Sequence, residues 1–103
     1  MNQQAMLRKV RQMQKEMEET QKAIWESDFS STAGGVVTVT MKGTKEITSV
    51  EIDPSFEVES AEDKEMLGEM ISAAAHKCYQ EIDQTTETKM AKYQALLNGM
   101  GMF

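Results

Sequence analysis

Apolar residues near the N-terminus recur at Met6, Val10, Met13, Met17 and Ile24, with Thr20 in the same series, at alternating steps of four and three. This 3.5-residue period predicts one helix over residues 2–26 with a narrow seam suited to a single partner helix. An amphipathic helix lying on its own domain would bury the same side chains, and the seam leaves both arrangements open. The pattern changes after Trp25. Ser27 to Gly35 is rich in turn formers and poor helix formers, and Val36 to Lys42 alternates with period two, Val37, Val39 and Met41 facing one way and Thr38, Thr40 and Lys42 the other. Gly43-Thr44-Lys45 supplies a turn into a second strand over Glu46–Asp53, closed by Pro54. The parity slip between Ile47 and Val50 predicts a bulge in that strand. Ser27–Thr32 is expected to pair as a further edge strand through a turn at Gly34-Gly35, giving a three-stranded meander.

Ser60, followed by Glu62 and Asp63, has the form of a helix cap with acidic residues in the first turn. It opens a second helix over about 61–97. Met66, Leu67, Met70, Ile71, Ala74, Ala75, Cys78 and Ile82 make its first half broadly apolar, as suits packing on a sheet. From Asp83 to Lys89 the face thins, so the distal half is expected to project or to meet a partner. Met6, Met13, Met17, Met66 and Met70 all fall at core spacing and are read as core. The expected fold is α+β: a long N-terminal helix, a small antiparallel β-meander of two to three strands, and a long C-terminal helix. With 103 residues it forms one domain over 1–103, divided into a helical arm (1–26), a sheet (27–54), a second helix (60–97) and a frayed tail (98–103). So short a chain encloses a modest core, and sharing surface with a second copy would help it.

Charge alters this picture more than composition does. The chain carries a net charge of −6, which argues against a general binder of polyanions. The charge is unevenly placed. Residues 1–15 hold Arg8, Lys9, Arg11 and Lys15 without an acidic residue, a net of +4, whereas residues 51–69 carry a net of −7. Arg8, Lys15 and Lys22 recur every seven residues opposite the seam, with Arg11 beside them, forming a basic stripe of roughly 20 Å. Such a stripe contacts phosphates through charge alone, or serves as a solvated helix face, and the pattern by itself permits either.

Other chemistry finds little support. His76 and Cys78 stand two residues apart on a helix and point in different directions, so they form neither a nucleophile–base pair nor a metal pair. Cys78 lies on the apolar face and is read as a small core residue. The acidic stretch lacks the loop that cages calcium, and no phosphate-binding glycine loop appears. No cofactor, no metal and no enzymatic activity are therefore expected. No apolar run is long enough to cross a bilayer, and the first residues lack a signal-peptide pattern, so a cytoplasmic location is expected.

The order helix–sheet–helix is joined by particular strings: Met6-Leu7-Arg8-Lys9, Gln12-Met13-Gln14-Lys15-Glu16-Met17, Gly35-Val36-Val37-Thr38-Val39-Thr40, Gly43, Val50-Glu51-Ile52-Asp53-Pro54, Asp63-Lys64-Glu65-Met66-Leu67, Ala73-Ala74-Ala75 and Lys89-Met90. In their order and spacing, over about residues 5–92, these resemble the YbaB/EbfC family of small bacterial nucleoid-associated proteins. The resemblance implies a homodimer with projecting, tweezer-like helical arms that grip duplex DNA. It further implies a part in nucleoid organisation and, in some members, gene regulation. The arm residues that fit are Arg8, Lys9, Arg11, Lys15 and Lys22, with Lys89 and Lys92 on the second helix. A different class of function stays in view: an adaptor whose helices engage a protein partner without touching DNA.

Overall fold

The computed structural model of the chain describes residues 2–101, so the expected fraying of Met102 and Phe103 concerns residues outside the described ones. Helix α1 spans Gln3–Glu26, and three strands follow as β1 (Asp28–Ala33), β2 (Val37–Lys42) and β3 (Ile47–Ile52). Helix α2 spans Ala61–Gly99. The α+β expectation holds, and the second helix runs two residues further than its pattern suggested.

Each boundary has a local cause. Asn2 caps α1 by accepting the Ala5 amide at 2.7 Å. At the other end Ser27 leaves the helix, its amide donating to the Ile24 carbonyl at 3.1 Å and its hydroxyl to the Ala23 carbonyl at 2.7 Å. Ser60 caps α2 by accepting the Asp63 amide at 3.2 Å, while Asp63 reaches back to accept the Glu59 amide at 3.0 Å. These two bonds satisfy donors that a helix start leaves open. Between β1 and β2, Gly34 and Gly35 take φ of +60° and +67° as the central pair of a turn that the Val36 amide closes onto the Ala33 carbonyl at 3.1 Å.

The sheet is antiparallel in the order β1-β2-β3, so the edge strand expected over Ser27–Thr32 is present, at Asp28–Ala33. Its outer face is polar and ordered in cross-strand pairs. Ser30 meets Thr40 at 2.7 Å, Thr32 meets Thr38 at 2.9 Å, and Asp28 meets the Lys42 ammonium at 2.8 Å. Its inner face presents Ala33, Val37, Val39 and Met41 to Ala74, Cys78 and Ile82 of α2, all of them buried. Each large side chain in this layer contributes about 1.5–3 kcal/mol through burial.

Strand β3 differs from its neighbours in two respects. The register shifts between Thr40 and Met41, where Ser49 and then Ile47 are the partners and Thr48 is passed over. That is the bulge the parity slip announced. Ile47, Val50 and Ile52 stand opposite Met41, Val39 and Val37, hence on the inner face, yet all three are exposed. The reason is that α2 lies across β1 and β2 and leaves the β3 side of the face uncovered.

Beyond the sheet the distal half of α2 runs antiparallel to α1, and the two form an arm. Of the arrangements that the seam left open, α1 thus packs on a helix of its own chain. Met13, Ile24, Tyr93 and Leu97 are buried along this contact, and the hydroxyls of Thr20 and Tyr93 stand 3.4 Å apart within it. Counting outward from that pair at 1.5 Å per residue, the end of α2 lies level with about residue 14 of α1. Roughly 15 Å of α1 thus projects past it. The core assignment of two methionines is corrected here: Met6 is 41% exposed and Met66 50% exposed. Met6 lies on the projecting segment, where α2 no longer runs beside it. Met66 lies near the start of α2, outside the buried layer at Ala74, Cys78 and Ile82.

Candidate nucleic-acid interface

All seven basic residues named from the sequence are exposed, and the structure divides them into two groups. Arg8, Lys9, Arg11 and Lys15 lie on α1 at and near its projecting end. Seven-residue spacing keeps Arg8, Lys15 and Lys22 on one face, opposite the seam that buries Met13 and Ile24. Lys9 is turned about 100° from Arg8, toward the flank that carries Ala23 two heptads later.

Lys22 differs in its surroundings. Glu18, Glu19 and Glu26 stand four and three residues before it and four after it, within one turn on the same helix. Their charge offsets that of Lys22, and Glu18 and Glu19 also lie within one turn of Lys15, whereas no carboxylate occurs on α1 before Glu16. The positive potential is therefore concentrated on the outer half of the stripe.

Lys89 and Lys92 form the second group, on α2 beside the inner part of α1. They line an open cleft of about 340 Å³ together with Thr20, Ala23 and Thr88. The Lys92 ammonium sits 4.9 Å from the centre of the Tyr93 ring, within the range of cation–π attraction. Sequence reasoning named the two lysines but missed Thr20, Thr88 and Tyr93 as their neighbours. Thr20 left one signal, as the sole polar residue in the α1 seam.

Among the described residues the ion pairs are Lys42–Asp28 at 2.8 Å and Lys45–Asp83 at 2.9 Å, and neither uses any of the seven. One group of acidic residues gathers at the other end of the molecule. Glu57 and Glu59 precede α2, and Glu62, Asp63, Glu65 and Glu69 occupy its first turns. Helix α2 has 39 residues and is ~58 Å long, so these charges are far from the basic end of the arm.

The residues read as chemically idle occupy matching positions. Cys78 is fully buried, its Sγ 3.3 Å from the Val39 carbonyl and 3.7 Å from that of Phe29. His76 is exposed on the opposite side of α2.

Fold and charge together define an α+β protein with a long two-helix arm, basic toward its free end and acidic at the opposite end. Comparison with known proteins makes this specific. The sequence pattern of the YbaB/EbfC DNA-binding family matches residues 1–97, and the chain belongs to that family. It is 38% identical to a nucleoid-associated protein of Alkaliphilus metalliredigens over 95% of this chain and 85% of the relative. A nucleoid-associated protein of Clostridium novyi is 36% identical over 100% and 90%. One from Neisseria meningitidis serogroup C is 32% identical over 95% and 90%. The crystal structure of an uncharacterized protein from Helicobacter pylori superposes with a TM-score of 0.66 over 93% of this chain and 98% of that one. At 23% identity that likeness shows the fold alone. The family is one of nucleoid-associated DNA-binding proteins, not of enzymes. No helix among the described residues is long and apolar enough to cross a membrane.

Proposed function

We propose that the chain acts as one domain and binds duplex DNA as a cytoplasmic homodimer, through the basic face of α1, contributing to nucleoid organisation and to gene regulation without catalysing a reaction. The observation that carries this reading is the uncompensated group of Arg8 and Arg11, with Lys9 beside it, on the projecting part of a helix whose stripe continues through Lys15. Such a group reaches a phosphate backbone while the acidic end of the molecule stays clear of it. Arginine and lysine in this setting neutralise phosphates and release counterions, which favours binding without requiring a particular base sequence. The uncovered apolar residues Ile47, Val50 and Ile52 support the homodimer, since a monomer leaves them in water.

The test replaces Arg8, Arg11, Lys15 and Lys22 with alanine. All four are exposed helix residues, so circular dichroism should be unchanged. Binding should weaken across unrelated duplex sequences, and the log–log salt slope should flatten by roughly one unit for each phosphate that no longer meets a cation. Lys22 should account for the smallest share, because of its neighbouring glutamates. A folded four-alanine protein with unchanged affinity and slope would reduce the stripe to a solvated face and favour the protein-adaptor reading.

A further inference from the structure

The turn between β2 and β3 meets both arm helices at their roots. Gly43 meets the end of α1, its amide donating to the Ser27 carbonyl at 3.0 Å. Lys45 meets α2. Its ammonium lies 2.9 Å from the Asp83 carboxylate and 5.8 Å from the centre of the Tyr79 ring, within reach of ionic and cation–π attraction together. Tyr79 is half-buried against the core layer, and Asp83 directly follows Ile82, where the buried contact of α2 with the sheet ends. Lys45 therefore holds α2 where the helix leaves the sheet and becomes the arm.

Lys45 occupies a position that its own backbone disfavours. The Lys42 amide donates to the Glu46 carbonyl at 2.9 Å and the Lys45 amide to the Lys42 carbonyl at 2.8 Å, closing a hairpin loop over Gly43, Thr44 and Lys45. The last residue of such a three-residue loop is left-handed, a place usually filled by glycine. Lys45 takes it at φ of +74°, alone among the described non-glycine residues in having a positive φ. A lysine gives the turn itself nothing that glycine would not give at lower cost. What it adds is reach, since its side chain crosses to Asp83 and Tyr79.

The other flank of α2 has no such tie. An open cleft of about 500 Å³ lies there, between Phe29 of β1 and Glu81, Gln84, Thr85, Thr88 and Lys89 of α2. At 100° per residue these helical positions lie roughly half a turn around α2 from Asp83. The arm thus has room to swing away from the turn, and the lever is long. A rotation of about 10° at the root moves the arm tip, ~40 Å away, by roughly 7 Å, more than the axial step between successive phosphates of a strand.

We infer that Lys45 is a positioning residue of the DNA-binding arm. With Asp83 and Tyr79 it latches the root of α2 to the turn that also holds α1, and so fixes the angle between arm and sheet. The inference rests on the DNA-binding reading for its purpose. It places no phosphate on Lys45, whose ammonium is already paired with Asp83.

The experiment measures angle and binding separately, in the full chain. For the angle, Gln12→Cys on the arm and Glu51→Cys on the sheet carry spin labels, in a Cys78→Ala background diluted with unlabelled chain. Double electron–electron resonance then gives the distance between them without DNA. With Lys45 and Asp83 intact the distance distribution should be narrow, and Lys45→Gly or Asp83→Asn should broaden it. The charge exchange Lys45→Glu with Asp83→Lys should narrow it again. For binding, Lys45→Gly should lose affinity for duplex DNA severalfold at fixed salt, with the log–log salt slope unchanged. Asp83→Asn should weaken binding as well, although loss of a negative charge by itself favours DNA. The charge exchange should recover most of the affinity. A residue serving only the turn would make Lys45→Gly the better protein in every respect.

An unchanged distance distribution in Lys45→Gly would overturn the inference. So would a slope flattened by roughly one unit in that variant, which would make Lys45 a phosphate contact. Tighter binding by Asp83→Asn would overturn it too. A wild-type chain that binds no duplex overturns the DNA reading and the purpose of the latch with it, while the distances still decide whether Lys45 sets the angle.

Discussion

Asp53 shows how a single exposed carboxylate organises a turn. It accepts the Ser55 amide at 2.8 Å and the Ser55 hydroxyl at 2.7 Å, just before Pro54 ends the sheet. The Ser55 amide and then its hydroxyl stabilise the charged form and hold the Asp53 pKa below the usual carboxylate value. A group depressed in the folded state contributes stability above its unfolded pKa, and that contribution disappears as pH falls through the folded value. Asp53→Ala should therefore be less stable than wild type at neutral pH, and urea midpoints of the two should converge as pH drops below about 4. A gap that persists at pH 2 would show that the turn does not depend on the charge. Cys78 makes the opposite case, a polarisable group with no exposed surface. Cys78→Ala should cost about 1–2 kcal/mol in chemical denaturation, through a small void in the layer between α2 and β2. Its DNA binding should stay intact, and a folded variant that lost binding would contradict the core assignment.

At the scale of elements, contacts between segments were harder to read than the segments themselves. Period-two alternation in 36–42, the double glycine and the cap at Ser60 are local signals, and local hydrogen bonding realises each of them. The bulge at Thr48 was legible because it displaces Ile47 from the parity of Val50 and Ile52. Gly43 was legible only as a turn. Its amide donates to the Ser27 carbonyl at 3.0 Å, and a Cβ on it would fall on the Ile24 carbonyl oxygen. The β2–β3 turn thus lies against the end of α1, where nothing larger than hydrogen fits. Gly43→Ala should separate arm from sheet and lower stability by about 3 kcal/mol, whereas Gly68→Ala, with open space around its Cβ, should be neutral or slightly stabilising. Thermal melts of the two variants check this, and equal melting temperatures would refute the close approach.

The whole molecule is far from spherical. Its extents are 71 × 20 × 15 Å, and its radius of gyration is 20.2 Å, where a compact chain of this length has about 13 Å. An elongated chain of 103 residues has much surface and little core, and here it leaves the inner face of β3 uncovered. Light scattering at micromolar concentration should give twice the 11.6 kDa of one chain. Val50→Asp should shift that mass toward the monomer with the helix content retained. A wild-type protein that scatters as a monomer would remove the homodimer from the proposed function.

The sequence by itself determined the elements, their order and the uneven charge, because periodicity, capping and turn chemistry act over a few residues. It also determined which face of α1 is basic, since seven-residue spacing places Arg8, Lys15 and Lys22 together in any α-helix. Only the tertiary structure decided where α2 ends beside α1. That decision leaves Met6 exposed on a projecting helix and sets Lys89 and Lys92 beside Thr20 and Tyr93. These placements depend on how far two helices run past each other, a quantity set by packing between residues some 70 positions apart, and no local pattern encodes it.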